Sequence, residues 1–517
     1  MLLGIDYGNT RTVAAAVDDG KYPVVSFQSP NGDTAEWYPS LVAAGHGRFA
    51  FGLEAAAQQD QPGWSMLRSF KRQLGSRGPD SMVELGGRSI SALDLLTGFL
   101  SQLRHDLVER SNLTLDPAEE LEALISVPAN ANSNQRFNTL EAFRRAGFRV
   151  RGMINEPSAA GMEYAHRYIQ SGSASRREHV VVYDLGGGTF DASVITMADR
   201  RHEVISSDGV MRLGGDDFDR ILLDLAVESA GLHELAEDAR NRLLDECREQ
   251  KEGLHPNTRK VVIDLNRALD HPEAGNGSRP GQRNLGEVVI SAAEYYERCR
   301  PLVDRTVETM ERCMTEGAQI DVNSVSSVYL VGGSSDLPIV ARTVRERYGR
   351  LVKRSPYPHA STAIGLAIAA DRDAGYSLSE RFTRHFGVWR EGDEGRAVVF
   401  DVLFPRDTKL SAAGPPLTLT RSYSPTHNIG HFRYLECSRM TGEGHPAGEI
   451  TPWAQITFPF APELQNGTGS DQMEVVREHK ASQSIEEIYS CDKHGIIQVQ
   501  IVNHTTGYHR TYRLTPA

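Results

Sequence analysis

The sequence predicts an α/β unit of two similar lobes followed by a separate all-β domain. Three observations carry this expectation. The stretch "VVVYDLGGGTFDASVI", Val180 to Ile195, passes from an apolar strand through an aspartate, three glycines, a threonine and a second aspartate into another apolar strand. "LLGIDYGNTRTVAAAV", Leu2 to Val17, repeats that order of strand, acid, glycine turn and strand, and two such hairpins predict two lobes. Past "STAIGLAIAAD" helical spacing stops, and "RAVVFDVLF", "PLTLTRSY", "HFRYLE", "WAQITFPF" and "GIIQVQIVNH" follow one another between Pro, Gly and Asn turns.

The 517 residues leave room for about three domain-sized units. A hydrophobic fraction of 39% and a charged fraction of 24% are ordinary for a soluble globular chain. No apolar run approaches the roughly 18 residues that a membrane helix needs, so no membrane association is expected. Met1 leads straight into "LLGIDYG" without a basic, cleavable leader, which predicts the cytoplasm. Cys247, Cys299, Cys313, Cys437 and Cys491 form no CxxC pair and read as reduced structural thiols. The net charge of −12 argues against a nucleic-acid partner.

In the second hairpin, Gly186, Gly187 and Gly188 are expected to take positive φ and to offer bare amides to an anion. Asp184 and Asp191 would repel that anion unless a cation lies between, which predicts a hairpin for phosphate and metal. Gly332 and Gly333, in "SVYLVGGSSDLPIV", follow a third strand and open a helix, a position that aims amides at an anion or a sugar. "DDFDRILLDLAVESA" and "NRLLDECREQKEGL" have helical spacing, "KVVIDL" and "EVVISAAEYY" read as strands, and Asp270 to Gly286 reads as a surface loop joining them. His427 and His431 have helical metal spacing but lie in a loop leading into a strand, so no zinc site is expected there; Trp453, Phe458 and Phe460 are expected to pack the β domain. The polar segment 371–382 marks the change of pattern, giving a first domain over 1–373, a linker over 374–382 and a β domain over 383–517.

Further motifs fall in order around these: "SFKRQLG", "VPANANSNQR", "INEPSAAGMEY", "LGGDDFD", "LVGGSSDLP", "ASTAIGLA", "VLFPRDTKL" and "YSCDKHGIIQVQIVNHTTG". Together with "GIDYGNT" and "DLGGGTFD" they resemble the DnaK-type chaperones, the heat-shock seventy-kilodalton family. The resemblance implies an actin-like ATPase domain of two lobes with ribonuclease-H-like subdomains, then a β-sandwich substrate-binding domain. The sequence reaches Ala517 soon after the sandwich, so the family's helical lid is not expected and peptide release should be fast.

The resemblance also implies roles. Asp6, Glu156 and Asp184 would hold hydrated Mg²⁺ and flanking K⁺, and Lys71 would stand beside the transferred phosphoryl group of ATP. Thr189 would offer its hydroxyl to the γ-phosphate, and Asp191 would sit near the attacking water. Gly8, Asn9, Thr10, Gly186, Gly187 and Gly188 would cradle the phosphates of ATP or ADP. Gly214, Gly215, Asp217, Lys251, His255, Gly332, Gly333, Ser334, Asp336 and His359 would surround the rest of the nucleotide. Pro128 and Arg136 match the family's proline switch and its partner, and Val388, Tyr423 and Phe432 are the candidates for the peptide groove. The implied partners are unfolded or extended peptides, a J-domain co-chaperone and a nucleotide exchange factor.

Three departures qualify the match. Asn9 replaces a phosphate-contacting threonine of the first loop. The family's base pocket uses a glutamate, a lysine, an arginine and a serine on one helix and a second arginine on the adenosine turn; here these positions are Arg248, Lys251, Glu252, His255 and Asp336. Guanidinium planes stack on a purine and carboxylates do not, which predicts adenine affinity lower by about 1–3 kcal/mol, roughly ten- to hundredfold, and slow hydrolysis. The family's apolar linker is reduced to Leu378, and Gly152 stands where an arginine commonly serves the linker, so any coupling must use a changed interface. The alternative is a nucleotide-sensing or nucleotide-independent peptide-binding module that hydrolyses little ATP.

Overall fold

The strand Leu2–Tyr7 is apolar on both faces, the pattern of a strand covered above and below, and it lies inside a five-stranded mixed sheet. Across that sheet the order is Arg149–Asn155, Glu122–Val127, Leu2–Tyr7, Arg11–Ala16 and Tyr38–Pro39, with the first three strands parallel and each of the last two antiparallel to the strand before it. A second sheet repeats the scheme with Val352–Arg354, Val325–Val331, His179–Leu185, Phe190–Ala198 and Arg201–Val210. There too the first three strands run parallel and the last two form antiparallel neighbours. The sequence repeat is thus a repeat of sheet topology. The structure, a computed structural model, describes all residues except 60, 75, 76, 117, 169–178, 199, 233, 234, 267–285, 393–395, 411–414, 454, 466–473, 478–482 and 515–517.

Each sheet has its own core. Phe99, Leu100, Leu103 and Phe143, from helices Ala92–Glu109 and Ser133–Arg145, pack on the first; Phe218, Leu222, Tyr295 and Val303, from helices Gly215–Ala230 and Ala292–Arg312, pack on the second. Helix Ser133–Arg145 begins where the Asn132 side chain accepts from the Gln135 amide. Helices Glu156–Tyr168 and Ser361–Ala370 cross between the sheets at close range, around Gly365 and Ala159. Among the described residues, no helix is long and apolar enough to cross a membrane.

"EVVISAAEYY" is not one strand: pairing with Lys260–Asp264 ends at Ser291, and helix Ala292–Arg312 starts at the next residue. Apolar residues at helical spacing from Tyr295 onward outweigh the β-branched run before them. The loop expected over 270–286 lies outside the described residues up to 285. All five cysteines are buried and free.

After Ala370, among the described residues, every element is a strand or a short 3₁₀ turn. One sheet takes Ala397–Phe404, His385–Gly392, Tyr434–Met440 and Pro446–Pro452 in that order, and another Leu417–Tyr423, Ile485–Cys491, Ile497–Asn503 and His509–Arg513. Phe386, Tyr434, Trp453, Phe458, Phe460 and Tyr489 fill the space between them. Val388 and Phe432 belong to this core, and Tyr423 packs against it. Of the candidates for a peptide groove, Val388 and Phe432 thus lie in the packed interior between the sheets and Tyr423 lies partly buried beside it. The exposed valines of this region include Val398 and Val399, on an edge strand.

The segment 374–382 is more than a tether. Ser377–Ser379 adds a sixth, parallel strand to the second sheet, pairing with Arg201–Glu203. Glu380 accepts from the Asn155 backbone N (2.9 Å) and from Asn155 Nδ2 (2.8 Å). Arg381 donates to the Val204 carbonyl (3.0 Å) and to Glu203 (2.9 Å). From the β region, Glu436 accepts from Ser133 N (3.0 Å) and Ser133 Oγ (2.8 Å) at the start of a helix, and Lys493 donates to the Arg151 carbonyl (3.1 Å).

Candidate functional site

Both glycine hairpins and the 332–334 turn open onto one cleft of about 250 Å³. Asp6, Gly8, Asn9, Thr10, Lys71, Glu156, Asp184, Gly186, Gly187, Thr189, Gly215, Lys251, Gly332, Gly333, Ser334, Asp336 and His359 all border it. They come from strand ends and turns of both sheets and from the helices that follow them, so the duplicated topology brings the two hairpins face to face.

Two glycines of the second hairpin, Gly187 and Gly188, are constrained for a different reason from the expected one. Gly186, Gly187 and Gly188 all have negative φ. A Cβ on Gly187 would lie 2.1 Å from Thr10 Oγ1, and one on Gly188 would lie 2.6 Å from Asn9 Nδ2, so a side chain at either would displace the residues of the first hairpin that face it. Positive φ occurs instead at Gly332, at 81°, where the chain turns out of its strand and a Cβ would meet the Leu185 carbonyl.

Lys71 is buried, and its ammonium donates to Glu156 Oε1 (2.7 Å) and to the Tyr7 carbonyl. Ser126 Oγ donates to Asp6 (2.6 Å), and the Asn130 amide donates to Asp191 (3.1 Å). Burial, with the Glu156 carboxylate next, pushes the Asp6 carboxyl up to about 7 and that of Asp191 up to about 8. Burial and the Glu156, Asp6 and Asp191 carboxylates hold Asp184 well above the usual carboxylate range. Asp6, Glu156, Asp184 and Asp191 thus share a single buried lysine, a donor set short of positive charge. Asn9 Oδ1 is also buried without a hydrogen-bond partner. A cation fits this set. Among the described residues no three His, Cys, Asp or Glu side chains converge closely enough to grip a bare ion, so Asp6, Glu156 and Asp184 would hold it through water.

Five sequence candidates do not border the cleft. Asp191 is buried behind the hairpin. Gly188 and Gly214 pack on each other, with 2.6 Å between the Gly188 N and any Cβ on Gly214. The Asp217 carboxylate accepts from the Gly214 amide (3.0 Å) as a helix cap and pairs with Arg72 (3.3 Å) and Arg220 (2.9 Å). His255 is occupied within its own turn, its amide donating to Thr258 Oγ1 (3.1 Å) and its Nδ1 accepting from the Asn257 amide (3.3 Å). Lys251 does border the cleft, with its ammonium on Asp219 (2.5 Å) and the Gly215 carbonyl (3.0 Å).

Arg11, Asp216, Asp219, Arg248 and Glu252 border the cleft as well. Arg248 is bound by Asp219 (3.0 Å) and Asp245 (2.9 Å). Arg11 was legible only as the residue after Thr10; its partner Glu252 is 241 positions away. Pro128 follows strand Glu122–Val127, and Arg136 lies half-buried at the junction with the β region, where it donates to Asn155 Oδ1 (3.1 Å). Burial lowers the Arg136 pKa, partly offset by Glu380 and Glu436.

A family model described as Hsp70 protein matches residues 83–380, more than half of the chain.

Proposed function

The chain belongs to the Hsp70 family, whose members are ATPases acting as chaperones, and from that premise we propose an ATP-regulated peptide-binding protein. Its residues 1–373 form a two-lobed actin-like ATPase domain, 374–382 the linker and 383–517 the peptide-binding region. The observation that carries this reading is the convergence of two glycine hairpins, a lysine–glutamate pair and the 332–334 turn on one cleft.

Mg²⁺ and K⁺, when bound, neutralise the charge of the β- and γ-phosphates. The amides of Gly8, Asn9, Thr10, Gly186 and Gly187 orient those phosphates. Lys71, fixed by Glu156, keeps its ammonium where charge develops on the transferred group. Thr189 donates to the γ-phosphate, and Asp191, held by the Asn130 amide behind the hairpin, supports the Thr189 side chain. Arg136 and Pro128 relay the state of the cleft to the β region, whose docked arrangement through Glu380 and Glu436 supports such a relay. Extended peptides are the clients, and a J-domain protein and an exchange factor set the pace of the cycle.

Single-turnover hydrolysis of ATP by the full chain tests this, beside Lys71→Ala. Loss of the lysine should slow the chemical step by about a hundredfold or more. Equal rates for the two proteins, or a peptide affinity that ignores ATP, would refute the proposal.

A further inference from the structure

Arg11 leaves the first hairpin directly after Thr10 and borders the cleft, as does Glu252 at the end of helix Glu237–Glu252. Arg11 Nη2 lies 2.5 Å from Glu252 Oε2. The Arg11 guanidinium carbon also stands 4.8 Å from the centre of the Trp37 ring. The guanidinium is therefore held by an ion pair and by an aromatic face, and the residue that carries it lines the cleft. A flat cation held in this way offers a stacking platform to another flat group, and little side-chain entropy remains to be lost when it is used. The second acid of the cleft wall, Asp336, likewise carries a guanidinium, that of Arg354.

We infer that Arg11 contacts the base of the bound nucleotide, with Glu252 and Trp37 as its positioning residues. The acids at 252 and 336 then act as holders of arginines that come from elsewhere in the chain, which removes the basis for expecting a weak base pocket. The ligand chemistry is a purine nucleotide whose phosphates lie on the two hairpins, because a purine offers the larger stacking plane. This inference rests on the nucleotide reading above.

The test is calorimetric titration of the full chain with MgATP and with magnesium tripolyphosphate, which has the phosphates and no base. Arg11→Ala should lose about tenfold in ATP affinity and keep its tripolyphosphate affinity within about twofold. Arg11→Lys should not restore ATP binding, since an ammonium is not planar. Glu252→Gln, a change at a half-exposed position, should lose part of the same affinity and provides the readout should the Arg11 variants not fold. If the unaltered chain binds ATP and all three variants match it within about twofold, the assignment of Arg11 is wrong. If the unaltered chain binds neither ligand, the nucleotide reading falls and this inference with it. If Arg11→Ala loses both ligands equally, Arg11 is a phosphate contact and the base assignment is overturned.

Discussion

His202 offers a test of the docked segment that needs no ligand. Its imidazole lies on the strand that Ser377–Ser379 joins, directly opposite Leu378, and stacks on the Tyr376 ring at 5.6 Å with 26° between planes. The residue is 3% exposed, and neither ring nitrogen has a hydrogen-bond partner. Burial pushes its pKa from 6.5 down to about 4. A histidine whose folded pKa lies below its unfolded one is neutral in the fold, so the stability is fully present above pH 6.5 and is lost as pH falls from 6.5 towards 4. A difference of about 2.5 units corresponds to about 3 kcal/mol at pH 4 and about 2 kcal/mol at pH 5. The assay is amide hydrogen exchange at 377–379, comparing the unaltered chain with His202→Leu at each pH, so that the intrinsic pH dependence of exchange cancels. Protection in the unaltered chain should fall relative to the variant by roughly thirtyfold between pH 7.5 and 5, with a parallel relative loss in thermal midpoint. An identical pH dependence in both proteins would mean that His202 does not report on the joint.

Two further outcomes follow from packing and docking. A Cβ at Gly365 would lie 1.7 Å from the Ala159 carbonyl, so Gly365→Ala should separate the crossing helices and lower stability by about 3 kcal/mol or more; a denaturation midpoint unchanged from the unaltered chain would contradict the close crossing. Glu436→Ala removes both acceptors of Ser133 at a buried contact and should release the β region; faster proteolysis near 374–382 checks this, and an unchanged cleavage pattern would place the docking energy elsewhere.

The hairpins were legible because their chemistry is local: an acid, a glycine turn and a second strand lie within about a dozen residues, and the same order occurs twice. Lys71, Glu156 and Asp184 could be picked out by motif, and they do line one cleft. What remained hidden depends on partners far along the chain. Arg11 acquires its position from Glu252, and Ser377–Ser379 becomes a strand because Arg201–Glu203 presents an open edge, neither of which leaves a local pattern. Asp217 lay inside a convincing motif, yet its carboxylate is spent on a helix cap and two arginines. Val388 and Phe432, taken from the family resemblance, are buried in the interior of the β region, because a motif aligned across variable loops does not fix which side chains the sheets enclose.

The sixth strand of the second sheet has a mechanical consequence. Three strand spacings, about 14 Å, separate Ser377–Ser379 from the strand that carries Asp184, so nothing seated beside Asp184 touches the joint directly. The joint is made by backbone groups of three residues, and a slip by one residue would turn Leu378 to the wrong side of the sheet. Gradual loosening is therefore closed to it: the segment is either zipped in one register or detached. A strand this short is thus a latch with one closed position, held by the pairing of three residues and by the sides of the sheet on which Leu378 and His202 lie.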